Sequence, residues 1–455
     1  MRLQKIQLPY DPDKAISYFS TIANQPWAMV LHSGYANHLY NRFDIVVADP
    51  ITTLETRESI TNIQRKNKKI NSMVDPFELL KGEMQHLNIS VTENHDLPFQ
   101  GGALGIFSYD LCRRIEILPK QAKNELCFPD MAIGIYLWAL IVDHHKKIVT
   151  LLSYQNVKNR LVWLENQTKV HTEKFQMCEA WESNMSEQQY RRKIDQIHQY
   201  LRDGDCYQIN LAQRFKAKYK GNEWEAFLKL NQNNQAPFSA FVRLEQNCVL
   251  SFSPERFLQL HKKSIQARPI KGTLPRLLNV DEKEDQEQIT CLKSSIKERA
   301  ENVMIVDLLR NDIGKVAIPG TVSVQELCVV ESFPAIHHLV STIVAKLPDH
   351  YHAADLLRAC FPGGSITGVP KIRSMEIIDE LEPHRRHSYC GSIGYISFCG
   401  TMDTNINIRT LLTENQYFYA WAGGGIVVDS TAKKEYQETF DKLSRILLII
   451  NNDPC

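Results

Sequence analysis

The feature that most limits how this chain can fold is the grouping of its strand-like segments, with helical segments between the groups. Short β-like runs and turn signals fill residues 1 to about 150. Further strand candidates lie at 248–260, 389–398, 405–412 and 417–421. Because strand and helix do not alternate regularly, repeated βαβ units are not expected. The pattern predicts an α+β fold with mainly antiparallel sheet.

Helices are predicted in the second half of the chain. A capping box, Ser186-Glu-Gln-Gln189, precedes apolar residues at helical spacing and predicts a helix that ends at Gly204. A longer helix is predicted from 289 toward 309, and a last one over 430–450. The apolar residues that define the second of these helices are Ile289, Leu292, Ile296, Ala300 and Val303.

The N-terminal region carries clear strand signals. Residues 27–32 and 43–48 are predicted as strands on either side of a polar loop, 33–42. The near-apolar run 132–142 is too short to cross a bilayer as a helix and is predicted to be one buried strand. Residues 98–110 contain three glycines, which suit close backbone packing, a bulge or a bound ligand.

The length of 455 residues permits two or three average domains, or one large intertwined core. A polar stretch from 155 to 184 has weak apolar periodicity and is the candidate connector. The sequence therefore predicts an N-terminal region at 1–150, a connector at 151–185 and a second region at 186–450.

Charge and cysteine content argue against several classes of function. The chain has 53 basic and 52 acidic residues, so neither nucleic acid nor a membrane is predicted as a partner. Its 11 cysteines show no C-x-x-C pair and no zinc-like spacing to histidine, which indicates reduced thiols. The N-terminus lacks the apolar core of a signal peptide. These features predict a cytoplasmic protein.

The stretch Arg268-Pro-Ile-Lys-Gly-Thr273 carries a lone lysine on an apolar strand end that leads into a turn. Pro269 favours extended geometry before it, and Gly272 permits a tight turn and close approach of another molecule. A lysine amine is nucleophilic only when neutral, and desolvation lowers its pKa. Lys271 is therefore a candidate nucleophile, and the alternative is an ion-paired lysine at a strand end.

Glu255 is a candidate general acid. It ends a strand-like run in Ser253-Pro-Glu-Arg256, about one hairpin before Lys271. A carboxyl group placed across a pocket from an amine can protonate a leaving hydroxyl. The alternative is that Glu255 pairs with Arg256 or caps a turn.

Three further glutamates suit a divalent metal. Glu301 lies on the predicted long helix, while Glu435 and Glu438 lie three residues apart on the last one and share a face. Carboxylates from two helices suit Mg²⁺, which takes one or two protein carboxylates and leaves its other positions to water and an anionic ligand. The alternative is an ordinary surface pair of Glu438 with Lys442.

Two glycine-rich segments and one arginine suit an anionic ligand. Segment 362–371 leads into a helix, so its backbone N–H groups can receive a carboxylate or a phosphate. Segment 422–426 either approaches an anion or forms a tight turn. On the alternating run 405–409, Arg409 offers two donors to a carboxylate if its face lines a cleft, and a solvated face is the alternative. Together these features predict a site for a small polyanionic substrate and a divalent metal.

On five motifs that occur in the same order, the chain resembles the chorismate-utilising enzyme family. The resemblance implies two mainly antiparallel sheets packed as a sandwich with helices outside, as in anthranilate synthase component I. It also implies that 186–450 binds chorismate and is intertwined with the N-terminal region as one unit. The motifs are Pro269-Ile-Lys-Gly-Thr273, Met304-Ile-Val-Asp-Leu-Leu-Arg-Asn-Asp312, Phe361-Pro-Gly-Gly-Ser-Ile-Thr-Gly-Val-Pro-Lys371, Asp403-Thr-Asn-Ile-Asn-Ile-Arg-Thr410 and Glu435-Tyr-Gln-Glu-Thr439.

Single residues indicate the branch of the family that aminates chorismate. Lys271 stands where anthranilate synthases carry alanine, and Gln208 stands where isochorismate and salicylate synthases carry a lysine base. The resemblance implies that Lys271 attacks C2 of chorismate while Glu255 protonates the leaving C4 hydroxyl. Ammonia then attacks C4 and expels the lysine, which gives 4-amino-4-deoxychorismate for p-aminobenzoate and folate. The alternative within the family is anthranilate synthase component I, which eliminates pyruvate.

The resemblance also assigns the remaining ligands. Glu301 and Glu438 match Mg²⁺ ligands, with Glu435 in support. No glutaminase pattern is evident, so ammonia is expected from a separate glutamine amidotransferase subunit. A non-catalytic tryptophan-binding subunit is a further alternative. The implied substrate contacts are Gln208, His338, Ser365, Tyr389, Arg409, Gly423, Gly424 and Gly425, and the implied tryptophan pocket comprises Ser33, Tyr40, Asn41, Arg42, Phe43, Pro237, Phe238 and Ser239.

Overall fold

A computed structural model of the chain describes all residues except 34–39, 90, 92–95, 169–172, 277–281, 333–335 and 452–455. The strands are β1 (Gln4–Leu8), β2 (Met29–His32), β3 (Phe43–Val47), β4 (Thr52–Arg57), β5 (Ile60–Arg65), β6 (Lys68–Ser72), β7 (Gly102–Phe107), β8 (Met131–Tyr136), β9 (Trp138–Asp143), β10 (Ile148–Ser153), β11 (Gln176–Met177), β12 (Glu182–Ser183), β13 (Gln208–Lys220), β14 (Phe238–Arg243), β15 (Cys248–Ser253), β16 (Arg256–His261), β17 (Ser264–Ala267), β18 (Ile270–Pro275), β19 (Ser323–Ser332), β20 (Ile336–Lys346), β21 (Gly368–Val369), β22 (Ser392–Ser397), β23 (Met402–Asn405), β24 (Thr410–Glu414) and β25 (Tyr417–Ile426). The helices are α1 (Lys14–Ile22), α2 (Pro76–His86), α3 (Val157–Glu165), α4 (Glu187–Asp203), α5 (Glu223–Asn234), α6 (Glu282–Ser294), α7 (Ile296–Gly314), α8 (Ala353–Cys360), α9 (Lys371–Leu381) and α10 (Ala432–Asn451), with 3₁₀ turns at Tyr109–Arg114 and Gly364–Ile366.

The described strands form two large sheets, and the strand pairings within them are antiparallel. The first sheet has the order β1-β10-β9-β3-β2-β14-β15-β24-β25-β13-β11, and β12 and β21 also pair with β13. The second has the order β18-β20-β17-β16-β23-β22-β7-β8-β4-β5-β6, and β19 pairs with β20. Each sheet takes strands from both ends of the chain.

Side chains of the first sheet alternate between two cores, because successive residues of a strand point to opposite faces. Met29 packs in the core between the sheets, together with Ile133 of the second sheet. Its neighbour Val30 packs on the other face, with Phe19 of α1 and Leu443 of α10. The predicted α+β sandwich with helices outside is therefore confirmed.

Two segments predicted as single strands are each two strands, because the chain changes sheet within them. The run 132–142 divides at Leu137 into β8 of the second sheet and β9 of the first. The run 248–260 divides at Pro254 and Glu255, between β15 of the first sheet and β16 of the second. Proline cannot donate a ladder hydrogen bond, which favours a strand end at this point.

The strand predicted over 405–412 is also wrong, for the same reason. β23 ends at Asn405 in the second sheet and β24 begins at Thr410 in the first. Arg409 between them has a φ of +52°, which breaks the extended conformation. Asn407 is fully buried and donates to the Ser388 carbonyl oxygen at 2.9 Å, so the polar residues of this run do not form a solvated face.

The first and last predicted helices are confirmed. Ser186 Oγ accepts from the Gln189 backbone N–H, the Gln189 side chain accepts from the Ser186 N–H, and the helix ends at Gly204 with a φ of +81°. α10 occupies the predicted tail segment.

The middle helix is wrong as one continuous element. It is broken into α6 and α7 at Ser295, whose side chain accepts from the Glu298 backbone N–H and caps α7. Because the helix restarts there, its apolar pattern does not continue in phase: Ile296 is 85% exposed and Val303 is 45% exposed. The buried face of α7 carries Asn302, Ile305, Val306, Leu309, Asp312 and Ile313 instead.

The predicted connector, 151–185, contains α3, β11 and β12, and its role as a boundary remains a prediction.

In the part of the chain that the structure describes, none of the helices combines the length and the apolar character that crossing a membrane requires.

Candidate active site

A cavity of about 550 Å³ lies where the two sheet crossovers, at 254–255 and 406–409, come together with β18, β20, β25, α7 and α10. Residues far apart in the sequence meet there because both crossovers carry the chain from one sheet to the other. The predicted catalytic, substrate and metal residues that line this cavity are Glu255, Lys271, Glu301, His338, Ser365, Tyr389, Arg409, Gly423, Gly424, Gly425, Glu435 and Glu438.

Lys271 is the second residue of β18, and the strand continues past it. The predicted turn is therefore a β-bulge, since the pairing with β20 shifts register between Lys271 and Thr273. Gly272 has a φ of +73° at the bulge, and a Cβ at this position would lie 2.9 Å from the Glu298 Oε2. Glycine therefore serves both the backbone conformation and the close contact with α7.

Lys271 and Glu255 are linked through Ser365. The Lys271 Nζ donates to the Ser365 carbonyl oxygen at 3.2 Å, and the Ser365 Oγ donates to the Glu255 Oε1 at 2.9 Å. The Asn210 Nδ2 donates to the same carbonyl oxygen at 3.1 Å. An amine and a carboxyl group are thus held by one serine inside the cavity.

Burial shifts the pKa values of these two groups toward each other. Desolvation raises the pKa of Glu255 to about 7, against the opposing effects of Lys271 and the Ser365 hydrogen bond. Desolvation lowers the pKa of Lys271, against the attraction of Glu301 and Glu255. Desolvation therefore favours the protonated form of the carboxyl group and the neutral form of the amine.

The predicted metal ligands approach the cavity from two helices. Desolvation raises the pKa values of Glu301 on α7 and Glu435 on α10, and neighbouring carboxylates raise them further. Lys297 lies 3.9 Å from Glu301, and Lys442 lies 2.6 Å from the third ligand, Glu438. Over the described residues, no three His, Cys, Asp or Glu side chains converge closely enough to hold a metal ion. The protein side chains alone thus do not form a complete cage.

Gly424 lies against two of the three predicted metal ligands. A Cβ at this position would lie 3.1 Å from the Glu435 Oε2, 3.4 Å from the Glu438 Oε1 and 3.6 Å from the Lys442 Nζ. The glycine keeps this volume open between two carboxylates. The donor set therefore fits Mg²⁺ held by one or two protein carboxylates, with other positions left for water and an anionic ligand.

Arg409 is a partly buried cation with no acidic partner among the described side chains. Desolvation and the nearby Arg445 lower its pKa. Because an unpaired charge is costly to bury, we expect the guanidinium to bind an anionic ligand. Tyr389 lies beside it on the cavity wall, stacked on Trp421 with ring centroids 6.3 Å apart.

The glycine segment 423–425 continues β25 in register with β13, so the alternative of a tight turn is wrong. Gly425 leaves room for the Gln208 side chain, whose Nε2 would lie 2.3 Å from an added Cβ. Gln208 is fully buried, donates to Asn210 Oδ1 at 3.2 Å and does not line the cavity. The direct substrate contact expected of Gln208 therefore stays a prediction, and the cavity lining does not support it.

Asn210 and Lys442 are among the cavity residues that sequence reasoning missed. Asn210 lies two residues after Gln208 on β13, and strand alternation was the available signal that they share a face. Lys442 was interpreted as a surface partner of Glu438, yet it lines the cavity and donates to the Gly423 carbonyl oxygen at 2.8 Å.

A second cavity, of about 440 Å³, lies between the sheets at the predicted tryptophan pocket. Arg256 lines this cavity, and its guanidinium lies 4.6 Å from the Tyr40 ring centroid and 5.1 Å from that of Phe238. The same guanidinium donates to both Asp403 carboxylate oxygens, at 2.9 and 3.0 Å. The cavity therefore combines aromatic walls with a paired charge. The predicted residues that line it are Tyr40, Arg42, Phe43, Pro237, Phe238 and Ser239.

Two predicted members of this pocket do not line it. Ser33 directs both its N–H and its Oγ to Asp44 Oδ1, at 2.8 and 3.1 Å. Asn41 is buried outside the lining, although its neighbours Tyr40 and Arg42 line the cavity. Residues 34–39 of the predicted polar loop lie outside the described residues.

Comparison with known proteins places this geometry in context. A family model described as chorismate binding enzyme matches residues 30–448. Aminodeoxychorismate synthase component 1 of Escherichia coli (strain K12) is 58% identical over 442 residues, which cover 97% of this chain and 97% of that protein. Anthranilate synthase component 1 of Aquifex aeolicus (strain VF5) is 32% identical over 466 residues, 98% of this chain and 93% of that protein.

Solved structures show the same fold. Anthranilate synthase component I from Streptococcus pneumoniae TIGR4 superposes with a TM-score of 0.79 at 29% identity, over 89% of this chain and 92% of that one. MenF, the menaquinone-specific isochorismate synthase from Escherichia coli, superposes with a TM-score of 0.74 at 16% identity, over 99% of this chain and 94% of that one, and this similarity concerns the fold alone.

Proposed function

Because the chain belongs to the family of chorismate binding enzymes, we propose that it aminates chorismate at C4 and retains the enolpyruvyl group. The product is 4-amino-4-deoxychorismate, a precursor of p-aminobenzoate and folate. The chain is an enzyme subunit, and its relatives at 57–58% identity carry the name aminodeoxychorismate synthase component 1. The observation that supports amination most directly is the Lys271–Ser365–Glu255 chain of hydrogen bonds.

Lys271 is proposed as the nucleophile and Glu255 as the general acid. The neutral Lys271 amine attacks C2 of chorismate, the ring double bonds shift, and the C4–O bond breaks as Glu255 gives its proton to the leaving hydroxyl. Ammonia then attacks C4, the double bonds shift back, and the C2–N bond to Lys271 breaks. The raised pKa of Glu255 and the lowered pKa of Lys271 support these roles.

The anionic groups of the substrate are assigned to two sides of the cavity. Arg409 would bind the enolpyruvyl carboxylate, with Tyr389 and the backbone around Gly425 beside it. His338 and Ser365 would line the reacting end. We assign Gln208 an indirect role through Asn210, since it does not line the cavity.

Glu301 and Glu438, with Glu435 in support, would hold Mg²⁺. The bound metal would neutralise the ring carboxylate of chorismate. The absence of a side chain at Gly424 leaves space beside Glu435 and Glu438.

Two further ligands belong to this proposal. A separate glutamine amidotransferase subunit would supply the ammonia, as the component 1 names of the relatives suggest. L-Tryptophan would occupy the cavity walled by Tyr40 and Phe238, where Arg256 and Asp403 offer opposite charges to its carboxylate and ammonium groups.

The decisive experiment is mass spectrometry of the products formed from chorismate, MgCl₂ and ammonium at mildly alkaline pH by the purified chain. A product one mass unit below chorismate, without pyruvate, is expected. Anthranilate with pyruvate would identify an anthranilate synthase instead, and Lys271 would then have no assigned role. Unchanged chorismate, both alone and with an amidotransferase partner, would favour a non-catalytic tryptophan-binding subunit.

A further inference from the structure

The side chain of Lys371 connects the two ends of the loop 361–370, which carries Ser365. Lys371 begins α9 directly after this loop, and its Nζ donates back to the Cys360 and Pro362 carbonyl oxygens, at 2.9 and 2.8 Å. These two carbonyls stand at the start of the loop. One ammonium group therefore ties the entry of the loop to its exit.

A third contact anchors this ammonium to α7. Lys371 forms an ion pair with the Asp312 Oδ2, and the two side chains are only 11% and 2% exposed. The ammonium thus donates to two carbonyl oxygens, and the Asp312 carboxylate balances its charge. The other Asp312 oxygen accepts from Lys315 at 2.8 Å, but Lys315 is 52% exposed and makes no described contact with the loop.

The loop fits its surroundings closely between these anchors. A Cβ on Gly363 would lie 2.6 Å from the Ile406 Cδ1, and a Cβ on Gly364 would lie 2.5 Å from the Leu308 Cδ2. At the far side, the Arg386 Nη1 donates to the Ile366 carbonyl oxygen at 2.8 Å. Ser365 is therefore placed by contacts on both sides of it, and Lys371 supplies those at the loop entry.

We propose that Lys371 is a positioning residue for the amination reaction, which it serves by closing the loop so that Ser365 stays between Glu255 and Lys271. Ser365 contacts the acid through its Oγ and the nucleophile through its carbonyl oxygen, so a displaced loop would separate both groups from their shared partner. A misplacement of about 1 Å can cost about a hundredfold in rate. The inference rests on the proposed function.

The test compares Lys371→Met with Lys315→Met, which removes the same charge from the other oxygen of the same aspartate. The expected result is a kcat about a hundredfold lower for Lys371→Met, with a much smaller change in the KM for chorismate, and a kcat within about twofold of wild type for Lys315→Met. Lys371→Arg, which keeps the charge and the donors, should recover part of the loss. Equal losses in the two methionine variants would overturn the proposal.

Positioning is separated from general stabilisation by a double variant. Lys371→Met leaves a buried carboxylate with one partner, which lowers the melting temperature. Adding Asp312→Asn removes that charge and should restore the melting temperature, while kcat stays low because the donors to Cys360 and Pro362 are still missing. If kcat returned together with stability, Lys371 would be a structural residue only.

A second readout does not need turnover. The rate at which trinitrobenzenesulfonate modifies Lys271, followed by peptide mass spectrometry at neutral pH, reports how the amine is held. The rate should rise severalfold in Lys371→Met, since Lys271 loses the acceptor that favours its charged form, and stay unchanged in Lys315→Met. An unchanged rate in both would overturn the positioning role, whereas a wild-type chain that labels as expected but does not aminate chorismate would refute the proposed function alone.

Discussion

Glu255 and Lys271 share one hydrogen-bonding serine, so they titrate as a coupled pair. The proposed reaction needs the state in which the carboxyl group holds a proton and the amine holds none. Desolvation favours this uncharged pair over the ion pair, because each charged form loses hydration in the cavity. Burial of both groups thus favours the protonation state that the reaction needs, and Ser365 is hydrogen-bonded to both groups.

Replacing Lys271 by alanine should abolish any covalent adduct with chorismate, since the amine that is hydrogen-bonded to Ser365 would be missing. Mass spectrometry of the intact protein after mixing with chorismate and Mg²⁺, without ammonia, measures the adduct. Lys442→Ala is the matched control because Lys442 lines the same cavity but bonds to the Gly423 carbonyl oxygen. An adduct that persists in Lys271→Ala would refute the nucleophilic role.

Replacing Ser365 by alanine should move the alkaline limb of the kcat profile to higher pH. Glu255 is active when protonated, so activity falls as pH rises through its pKa of about 7. The Ser365 Oγ donates to the carboxylate form and lowers that pKa, so its removal raises the pKa and shifts the limb upward. Steady-state kinetics between about pH 6 and 9 checks this, and a shift to lower pH would contradict the assigned direction.

At the level of elements, local signals predicted the first and last of the three expected helices, but they did not show where a strand segment changes sheet. The capping box at Ser186 specifies the start of α4 through contacts within four residues, so the sequence contains all that is needed. The crossovers at Pro254 and at Arg409 depend on which sheet receives each strand, and an alternating pattern is the same in either sheet. Two residues of the site, Glu255 and Arg409, therefore lie where strand prediction failed.

Gly424→Ala should weaken divalent metal binding by about tenfold, because its methyl group would enter the space between the Glu435 and Glu438 carboxylates. Isothermal titration with Mn²⁺ as a stand-in for Mg²⁺ measures the affinity without any turnover. Gly82→Ala is the matched control, since Gly82 lies in α2 and a Cβ there meets nothing within 4 Å. Equal affinities for Gly424→Ala and wild type would place the metal elsewhere.

At the scale of the whole molecule, the two cavities are consequences of one topology. Each sheet joins a block of strands from the N-terminal part of the chain to a block from the C-terminal part. The crossover at 254–255 connects the cavities, since Glu255 lines the first and the next residue, Arg256, lines the second. Positions matched through the resemblance to the family identified most of the predicted residues that line the two cavities, since such a match needs only the local sequence. They could not show that Ser33 is hydrogen-bonded to Asp44, or that Gln208 does not line the cavity, because both outcomes depend on how the side chains pack in the folded chain.

The second cavity gives the last prediction. L-Tryptophan should raise the melting temperature of the chain by a few degrees, because a ligand that binds only the folded state at about 100 times its Kd stabilises it by about 2.7 kcal/mol. Phe238→Ala removes part of the aromatic wall and should abolish the shift. Ser33→Ala tests whether Ser33 belongs to the tryptophan pocket, as the resemblance implies, or only bonds to Asp44, as in the structure. Because Ser33 does not line the cavity, this variant should lower the melting temperature through the lost contact with Asp44, yet keep the full tryptophan-induced shift. Differential scanning fluorimetry with and without tryptophan measures the shift in the wild-type chain and in both variants, with L-alanine as the ligand control. Loss of the shift in Ser33→Ala would indicate that Ser33 contacts the bound tryptophan.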